Sequence, residues 1–235
     1  MSREFDVILV GASGFTGGLC ADYLAAHAPA GLRWAIAGRN AERLAQVRDR
    51  LAAGRPETAR PEDTRPDPDT GESGDGVGLV TIDLADPASV AAVAARTRVL
   101  ITTVGPYLEH GEPLVRACAE AGTDYVDLTG EPEFVDRMFL AYDAPARESG
   151  ARIVHACGFD SVPHDLGAYF TVRELARGGA LGPVSMRGVV RASGAVSGGT
   201  LASALGQFSR AREVRSAAVR RRTSERAAAT GERRA

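Results

Sequence analysis

Gly11-Ala12-Ser13-Gly14-Phe15-Thr16-Gly17 follows directly on the apolar run Phe5-Asp6-Val7-Ile8-Leu9-Val10. The three glycines have the spacing G-x-x-G-x-x-G, and an apolar strand before them with a helix after them is typical of a dinucleotide-binding turn. Such a turn needs residues without a Cβ, because a pyrophosphate binds against bare backbone N–H groups at the start of a helix. This stretch therefore predicts a strand–turn–helix unit that binds a dinucleotide.

Downstream of the turn, strand and helix patterns alternate. We expect six strands, at residues 5–10, 32–37, 78–83, 99–104, 125–128 and 152–157. The helices between and after them are expected at 15–28, 41–53, 87–96, 112–121, from about 133 onward, and 165–177. Strands that are apolar throughout predict a parallel sheet covered on both faces, and right-handed crossovers make it a doubly wound α/β sheet. Ligands of such sheets lie outside the carboxyl ends of the strands.

The domain organisation follows from changes in composition. Residues 1–180 are predicted to form a Rossmann domain, interrupted by a disordered insertion at 54–78 that carries four prolines and almost no apolar residue. Residues 181–235 are interpreted as the start of an incomplete second α+β domain. Within it we expect a strand at 184–192, a turn at Ser197-Gly198-Gly199-Thr200, a helix over about 201–222, and an Arg-rich tail.

Charge and cysteine content exclude several classes of protein. The net charge of -2 argues against a dedicated nucleic-acid binder. All the basic residues except histidine are Arg, so no Lys can act as a base or a Schiff-base nucleophile. Cys20, Cys118 and Cys157 lie far apart and outside any metal-ligand spacing, so we predict no metal site. Without a signal-peptide pattern or a membrane-spanning apolar run, we expect a cytoplasmic protein.

The end of the second strand indicates which dinucleotide is bound. Sites that prefer NAD usually place Asp or Glu there to bind the ribose 2′-OH. This chain has Gly38-Arg39-Asn40 instead. Because a guanidinium can pair with a 2′-phosphate that an acid would repel, NADP is favoured over NAD. The alternative for Arg39 is a solvated surface charge.

Other candidate contacts with the cofactor come from the first, third and fourth strand ends. Ser13 and Thr16 can donate hydroxyl groups to phosphate oxygens, and Asp83 either accepts from the adenine amine or caps the next helix. The predicted cofactor-binding residues are Gly11, Ser13, Gly14, Phe15, Thr16, Gly17, Arg39, Asn40, Asp83, Thr103, Val104, Gly105 and Pro106.

Five side chains near the strand ends could transfer protons: Tyr107, Glu131, His155, Asp160 and His164. Each has a structural role as its alternative, such as capping a helix. Tyr107 and His164 are the two we name as candidate catalytic acids. His27 and His110 are interpreted as surface residues.

These motifs together resemble the saccharopine dehydrogenase-like oxidoreductases. The resemblance rests on the glycine turn at 11–17, Ala37-Gly38-Arg39-Asn40, the Thr-Val-Gly-Pro-Tyr at 103–107, the stretch 111–131, the Gly-Phe-Asp-Ser-Val-Pro-His-Asp-Leu-Gly at 158–167, and 197–203. It covers about residues 4–222. Within the family, the chain is most similar to the bacterial branch that includes mycobacterial trans-acting enoyl reductases.

The resemblance implies an NADP-binding Rossmann domain and a second α+β domain that covers the cofactor. It also implies reduction of a C=C bond in a lipid-like precursor, with a hydride passing from NADPH to the β-carbon and an acid protonating the α-carbon. The alternatives are saccharopine-type C–N oxidoreduction of an amino acid and a non-catalytic NADP-binding or partner-binding protein. Family members are longer than this chain, so most of the second domain is expected to be absent. A lipid-like substrate would favour peripheral membrane contact, and the sequence leaves a homo-oligomer open.

Overall fold

The computed structural model describes residues 3–54, 76–179, 182–191 and 209–232. The strands in these ranges are β1 Phe5–Val10, β2 Trp34–Gly38, β3 Gly78–Thr81, β4 Thr97–Thr102, β5 Asp124–Asp127 and β6 Ile153–Val154. The helices are α1 Phe15–His27, α2 Ala41–Ala53, α3 Pro87–Arg96, α4 Tyr107–His110, α5 Glu112–Ala121, α6 Pro132–Ser149, α7 Val162–Arg177 and α8 Ala211–Glu232.

The strands form one parallel sheet in the order β3-β2-β1-β4-β5-β6. The chain first builds outward from β1 through β2 to β3, and then crosses back to place β4 on the other side of β1. In the β1–β4 register, Phe5 lies opposite Thr97 and Val10 opposite Thr102. The predicted doubly wound sheet is confirmed, and its strand order reverses between β1 and β4, where such folds bind their ligands.

Two apolar cores cover the two faces of the sheet. The first lies under α3, α5 and α6 and includes Ile8, Leu100, Leu114, Tyr125 and Phe134. The second lies under α1 and α2 and includes Leu9, Ala21, Ile36, Leu44 and Leu51. Neighbouring residues of β1 enter opposite cores because successive side chains of a strand point to opposite faces.

Local signals set the helix boundaries. The side chains of Asn40 and Asp86 accept hydrogen bonds from backbone N–H groups at the starts of α2 and α3, as N-caps do. Pro87 occupies the first turn of α3, where its missing N–H costs nothing. Gly122 and Gly150 follow α5 and α6 in the left-handed conformation, with φ of 68° and 81°.

Helix α8 packs on the outside of α6. Arg210, just before α8, makes a two-point ion pair with the buried Glu133. Arg221 binds Asp136 at 3.1 Å and lies over the ring of Phe139, 4.6 Å from its centroid. These contacts attach α8 to the same helix layer as α5 and α6. The division of the chain near residue 180 stays a prediction.

Three sequence expectations differ from the structure. The sixth strand is only two residues long, because Ala156 has a φ of 58° that ends the extended conformation. The strand expected at 184–192 is wrong over 184–191. That stretch pairs with no described strand, and Val189 in it is 78% exposed. The short α4 was not expected.

Parts of other predictions lie outside the described residues. These are positions 55–75 of the insertion, the turn at 197–200, residue 192, and residues 201–208 of the last predicted helix. The flanks of the insertion are as expected, since α2 ends at Ala53 and β3 begins at Gly78.

Candidate functional site

A cleft of about 630 Å³ opens at the carboxyl edge of the sheet, around the reversal point between β1 and β4. Residues from the ends of β1, β2, β3 and β4 and from α4 and α5 line it. They are Val10, Gly11, Ser13, Gly14, Gly38, Arg39, Ile82, Asp83, Leu84, Ala85, Thr103, Val104, Gly105, Glu109, His110 and Pro113. Eight of the thirteen predicted cofactor-binding residues are among them.

The glycine turn is too tight for other residues. Gly11 has a φ of +95°, and its N–H donates to Ala37 O at 3.0 Å. The N–H of Gly14 donates back to Gly11 O at 2.9 Å. A Cβ on Gly17 would lie 2.0 Å from Gly11 O. Gly17 does not line the cleft; instead it lets α1 approach β1.

Helix α1 begins beside the cleft without an acidic residue in its first turn or a side-chain cap on Gly14. The first N–H groups of an α-helix have no partner within the helix. Phe15 and Thr16 occupy this first turn and do not line the cleft with their side chains. The arrangement supplies backbone donors and a positive dipole end, which favour an anion.

Among the described residues that line the cleft, only Arg39 carries a guanidinium. Within the described part of the chain, it makes no ion pair. Asn40 has a structural role in the helix that follows it, and its contact with a cofactor stays a prediction. Its side chain accepts the Arg43 N–H at 2.9 Å as the N-cap of α2, and it lies outside the cleft.

Asp83 lines the cleft at the end of β3, and the structure separates its two alternatives. Its Oδ1 accepts the Ala85 N–H at 3.0 Å, which fixes the local turn. The N-cap of α3 is Asp86, whose Oδ1 accepts from Ala88 N. The second carboxylate oxygen of Asp83 therefore remains compatible with an exocyclic amine, whereas the capping alternative is wrong.

The turn after β4 lies against the glycine turn. The N–H of Thr103 donates to Val10 O at 3.1 Å, and Thr102 Oγ1 accepts from Val104 N. A Cβ on Gly11 would lie 2.7 Å from Thr103 Oγ1 and 2.9 Å from Val104 Cγ2. The Gly105–Pro106 peptide bond is cis, and Pro106 lies just outside the lining.

The two candidate acids lie outside the cleft. Tyr107 is 5% exposed, and its hydroxyl donates to Thr102 O at 3.1 Å. Burial raises the pKa of this hydroxyl above its ordinary value, which opposes proton donation near neutral pH. His164 is exposed in the first turn of α7.

Two of the other candidate proton carriers, His155 and Glu131, have structural partners. His155 Nδ1 lies 2.6 Å from Asp127 Oδ2. The same buried carboxylate oxygen accepts a hydrogen bond from the Tyr125 hydroxyl, whose oxygen lies 2.9 Å away. Glu131 is buried and accepts two backbone N–H groups. None of the three candidates Glu131, His155 and Asp160 lines the cleft.

The predicted cofactor-binding set omits several lining residues, including two in α4. His110, interpreted as a surface residue, is half exposed but lines the cleft, with Glu109 beside it. Leu84 and Pro113 add apolar surface. Their positions in the sequence could have identified these residues, because they follow strand ends at the edge of the sheet where ligands bind.

Two further findings concern the described residues. They contain no group of three or more His, Cys, Asp and Glu side chains placed to hold a metal ion. Among their helices, none combines the length and the apolar character needed to cross a membrane.

The chain is similar to several known proteins. The family model for the saccharopine dehydrogenase NADP binding domain matches residues 7–154. A Mycobacterium tuberculosis protein provisionally named trans-acting enoyl reductase is 46% identical over 204 residues, which are 86% of this chain and 44% of that protein. The trans-acting enoyl reductase of Mycobacterium bovis is 44% identical over 177 residues, 75% of this chain and 38% of that protein.

The chain thus spans less than half the length of these curated relatives. Among solved structures, apo saccharopine dehydrogenase (L-Glu forming) from Saccharomyces cerevisiae is similar, with a TM-score of 0.49 and 17% identity. The match covers 75% of this chain and 32% of that one. On the strength of the family match, the chain belongs to the saccharopine dehydrogenase family, whose NADP-binding domain occupies residues 7–154.

Proposed function

We propose that the cleft binds NADP(H), with the 2′-phosphate on Arg39. The observation that carries this proposal is the position of Arg39, which follows β2 and lines the same cleft as Gly11 and Gly14. An acid at that position would bind a free ribose 2′-OH and repel a phosphate. A guanidinium instead forms charge-assisted hydrogen bonds with phosphate oxygens.

The pyrophosphate would lie on the glycine turn. Gly11, Ser13 and Gly14 line the cleft, and the first-turn N–H groups of Phe15, Thr16 and Gly17 begin α1 beside it. Because that turn carries no carboxylate, nothing in it opposes the negative charge of the ligand. Ser13 can add a hydroxyl donor.

The rest of the dinucleotide would lie between the ends of β3 and β4. Asp83 faces the cleft with one oxygen outside its local turn, so it can accept from the adenine amine. Thr103, Val104 and Gly105 form the opposite wall. Pro106 supports this wall from outside the cleft.

The activity that fits best is that of an NADP-dependent oxidoreductase reducing a C=C bond. This part of the proposal rests on the relatives named trans-acting enoyl reductase. Bound NADPH would supply the hydride. A lipid-like substrate, peripheral membrane contact and self-association remain proposals, and so does His164 as the acid. Tyr107 is the weaker candidate because it is buried.

Direct titration of the chain with NADPH and NADH tests the cofactor assignment. We expect NADPH to bind more tightly, and Arg39→Asp to weaken NADPH about tenfold to hundredfold while leaving NADH unchanged or tighter. Arg43→Asp is the matched control, because Arg43 lies four residues along the same segment, is exposed and does not line the cleft. Tighter binding of NADH by the unmodified chain would refute the assignment.

A turnover assay separates the activities. Oxidation of NADPH with enoyl thioesters supports C=C reduction, whereas oxidation with imino acids supports saccharopine-type chemistry. Binding of NADPH without oxidation by either substrate class would support a non-catalytic NADP-binding protein.

A further inference from the structure

Glu131 is a buried carboxylate that reaches across the fold to the wall of the cleft. It is 2% exposed and stands just before α6. Its Oε1 accepts the N–H of Tyr107 at 3.0 Å, and its Oε2 accepts the N–H of Leu108 at 2.9 Å. The N–H of Glu131 itself donates to Thr129 Oγ1. Both oxygens thus hold the first turn of α4.

The two N–H groups that Glu131 binds directly follow the cofactor wall. Residues 103–106 connect β4 to α4, and three of them line the cleft. The start of this segment is fixed by Thr103 N, which donates to Val10 O. The end is fixed by Glu131. A second tie, from the Tyr107 hydroxyl to Thr102 O, joins the first residue of α4 to the end of β4.

The wall that is held in this way touches the glycine turn directly. A Cβ on Gly11 would lie within 3 Å of both Thr103 Oγ1 and Val104 Cγ2. A displacement of the wall would therefore change the width of the slot between the wall and the glycine turn. Buried polar contacts of this kind fix geometry because a carboxylate left unpaired is costly.

From this geometry we propose that Glu131 is a positioning residue that sets the cofactor-binding wall at Thr103–Gly105. The inference rests on the proposed function of the cleft. It makes no use of Glu131 as a proton carrier, because both of its oxygens are bonded to backbone N–H groups. Its carboxylate acts through α4 and does not line the cleft.

Glu133 supplies the matched control. It is also a glutamate, is 3% exposed, and lies two residues further along, in the first turn of α6. Its carboxylate binds Arg210 before α8 and does not contact the cleft wall. Gln at either position keeps the size of the side chain and removes its charge. Loss of either network should lower thermal stability, whereas only the network of Glu131 leads to the cofactor.

The experiment measures the Kd for NADPH and the thermal midpoint for the unmodified chain, Glu131→Gln and Glu133→Gln. We expect both variants to have lowered midpoints. In Glu131→Gln the NADPH Kd should rise about tenfold, and in Glu133→Gln it should stay within about twofold. Unchanged or tighter binding in Glu131→Gln overturns the inference, because the cofactor-binding wall would then keep its position without the Glu131 carboxylate. Absence of NADPH binding by the unmodified chain overturns the proposed function and the inference together.

A second experiment measures amide hydrogen exchange on the unmodified chain, so its result does not depend on whether the variants fold. If the wall and the cofactor are coupled, NADPH should slow exchange at Tyr107 and Leu108. The control is the Ala88 amide, which is also held by a carboxylate at a helix start, that of Asp86, and does not line the cleft. Equal slowing at all three amides, or none at Tyr107 and Leu108, refutes the coupling.

Discussion

Gly17 approaches its neighbours more closely than any side chain would allow. A Cβ there would lie 2.0 Å from Gly11 O and 2.8 Å from Thr103 Oγ1, and the first of these atoms belongs to the backbone. We expect Gly17→Ala to push α1 away from β1, lower the free energy of unfolding by about 1–3 kcal/mol and weaken NADPH binding. Urea unfolding and NADPH titration measure the two effects.

Gly18 is the matched control for this prediction. It follows Gly17 in the same helix, and the nearest atom to a Cβ on it is Arg50 Nη2 at 3.7 Å. Ala is a better helix residue than Gly, so we expect Gly18→Ala to stabilise the chain by about 0.5–1 kcal/mol and to leave NADPH binding unchanged. Equal effects of the two substitutions would show that the close contact at Gly17 does not matter.

The hydroxyl of Tyr107 gives a second prediction. It is buried and donates to Thr102 O, so Tyr107→Phe leaves a buried carbonyl with one fewer partner. We expect a loss of about 0.5–1.5 kcal/mol of stability and a weakening of NADPH binding smaller than that in Glu131→Gln, because the Glu131 tie remains, with any turnover retained. Tyr142→Phe is the control, because the hydroxyl of Tyr142 donates to Glu112 away from the cleft. Loss of turnover only in Tyr107→Phe would instead support its role as an acid.

The sequence located the cleft better than it located the side chains within it. Gly11, Arg39 and Asp83 line the cleft, as their positions in the sequence predict, because strand ends and a turn fix the backbone there. Asn40 and Tyr107 both follow strands at the same edge of the sheet, yet Asn40 caps α2 and Tyr107 enters the core. Packing decides such directions, and the pattern of a single sequence does not encode it.

Among the elements, those with strong local signals were predicted most accurately. The expected bounds of α2 and α3 match the structure, because Asn40, Asp86 and Pro87 mark their starts. The strand predicted at 184–192 has an apolar pattern, but over 184–191 it pairs with no strand of the described residues, and a strand requires a partner. Backbone pairing between distant segments is not visible in local composition.

The attachment of α8 to α6 leads to a third prediction. Arg221 both binds Asp136 and lies over the ring of Phe139. We expect Arg221→Ala to release α8 locally, with a loss of about 1–2 kcal/mol in the free energy of opening. Hydrogen exchange should then rise over 211–226 and stay unchanged in the sheet. The control is Arg220→Ala, since Arg220 is exposed and makes no ion pair with the described residues.

In the molecule as a whole, ion pairs collect at the amino edge of the sheet, opposite the cleft. Asp6 pairs with Arg33, and Asp124 pairs with Arg152. Hydrogen bonds from these guanidinium groups lower the pKa of both carboxyl groups. The pKa of Glu4 is lowered in the same way by Arg96.

These shifts determine how stability depends on pH. A carboxyl group whose pKa is lower in the folded chain than in the unfolded chain binds fewer protons when folded. Its contribution is therefore present above its ordinary pKa, 3.8 for Asp and 4.5 for Glu, and is lost as the pH falls through the lowered value. We expect a nearly constant thermal midpoint between about pH 5 and 7, and a steep fall below about pH 4.5.

Asp124→Asn tests the origin of this fall. This substitution should lower the thermal midpoint at neutral pH. It should also make the midpoint fall less steeply as the pH is lowered, because the variant has no carboxylate at this position to protonate. Asp49→Asn removes a carboxylate whose exposed pair with its neighbour Arg48 should contribute little, so the curve should keep its shape. If Asp124→Asn left the steepness unchanged, the acid sensitivity would have to come from other carboxylates, with Glu133 and its link to Arg210 as the next group to substitute.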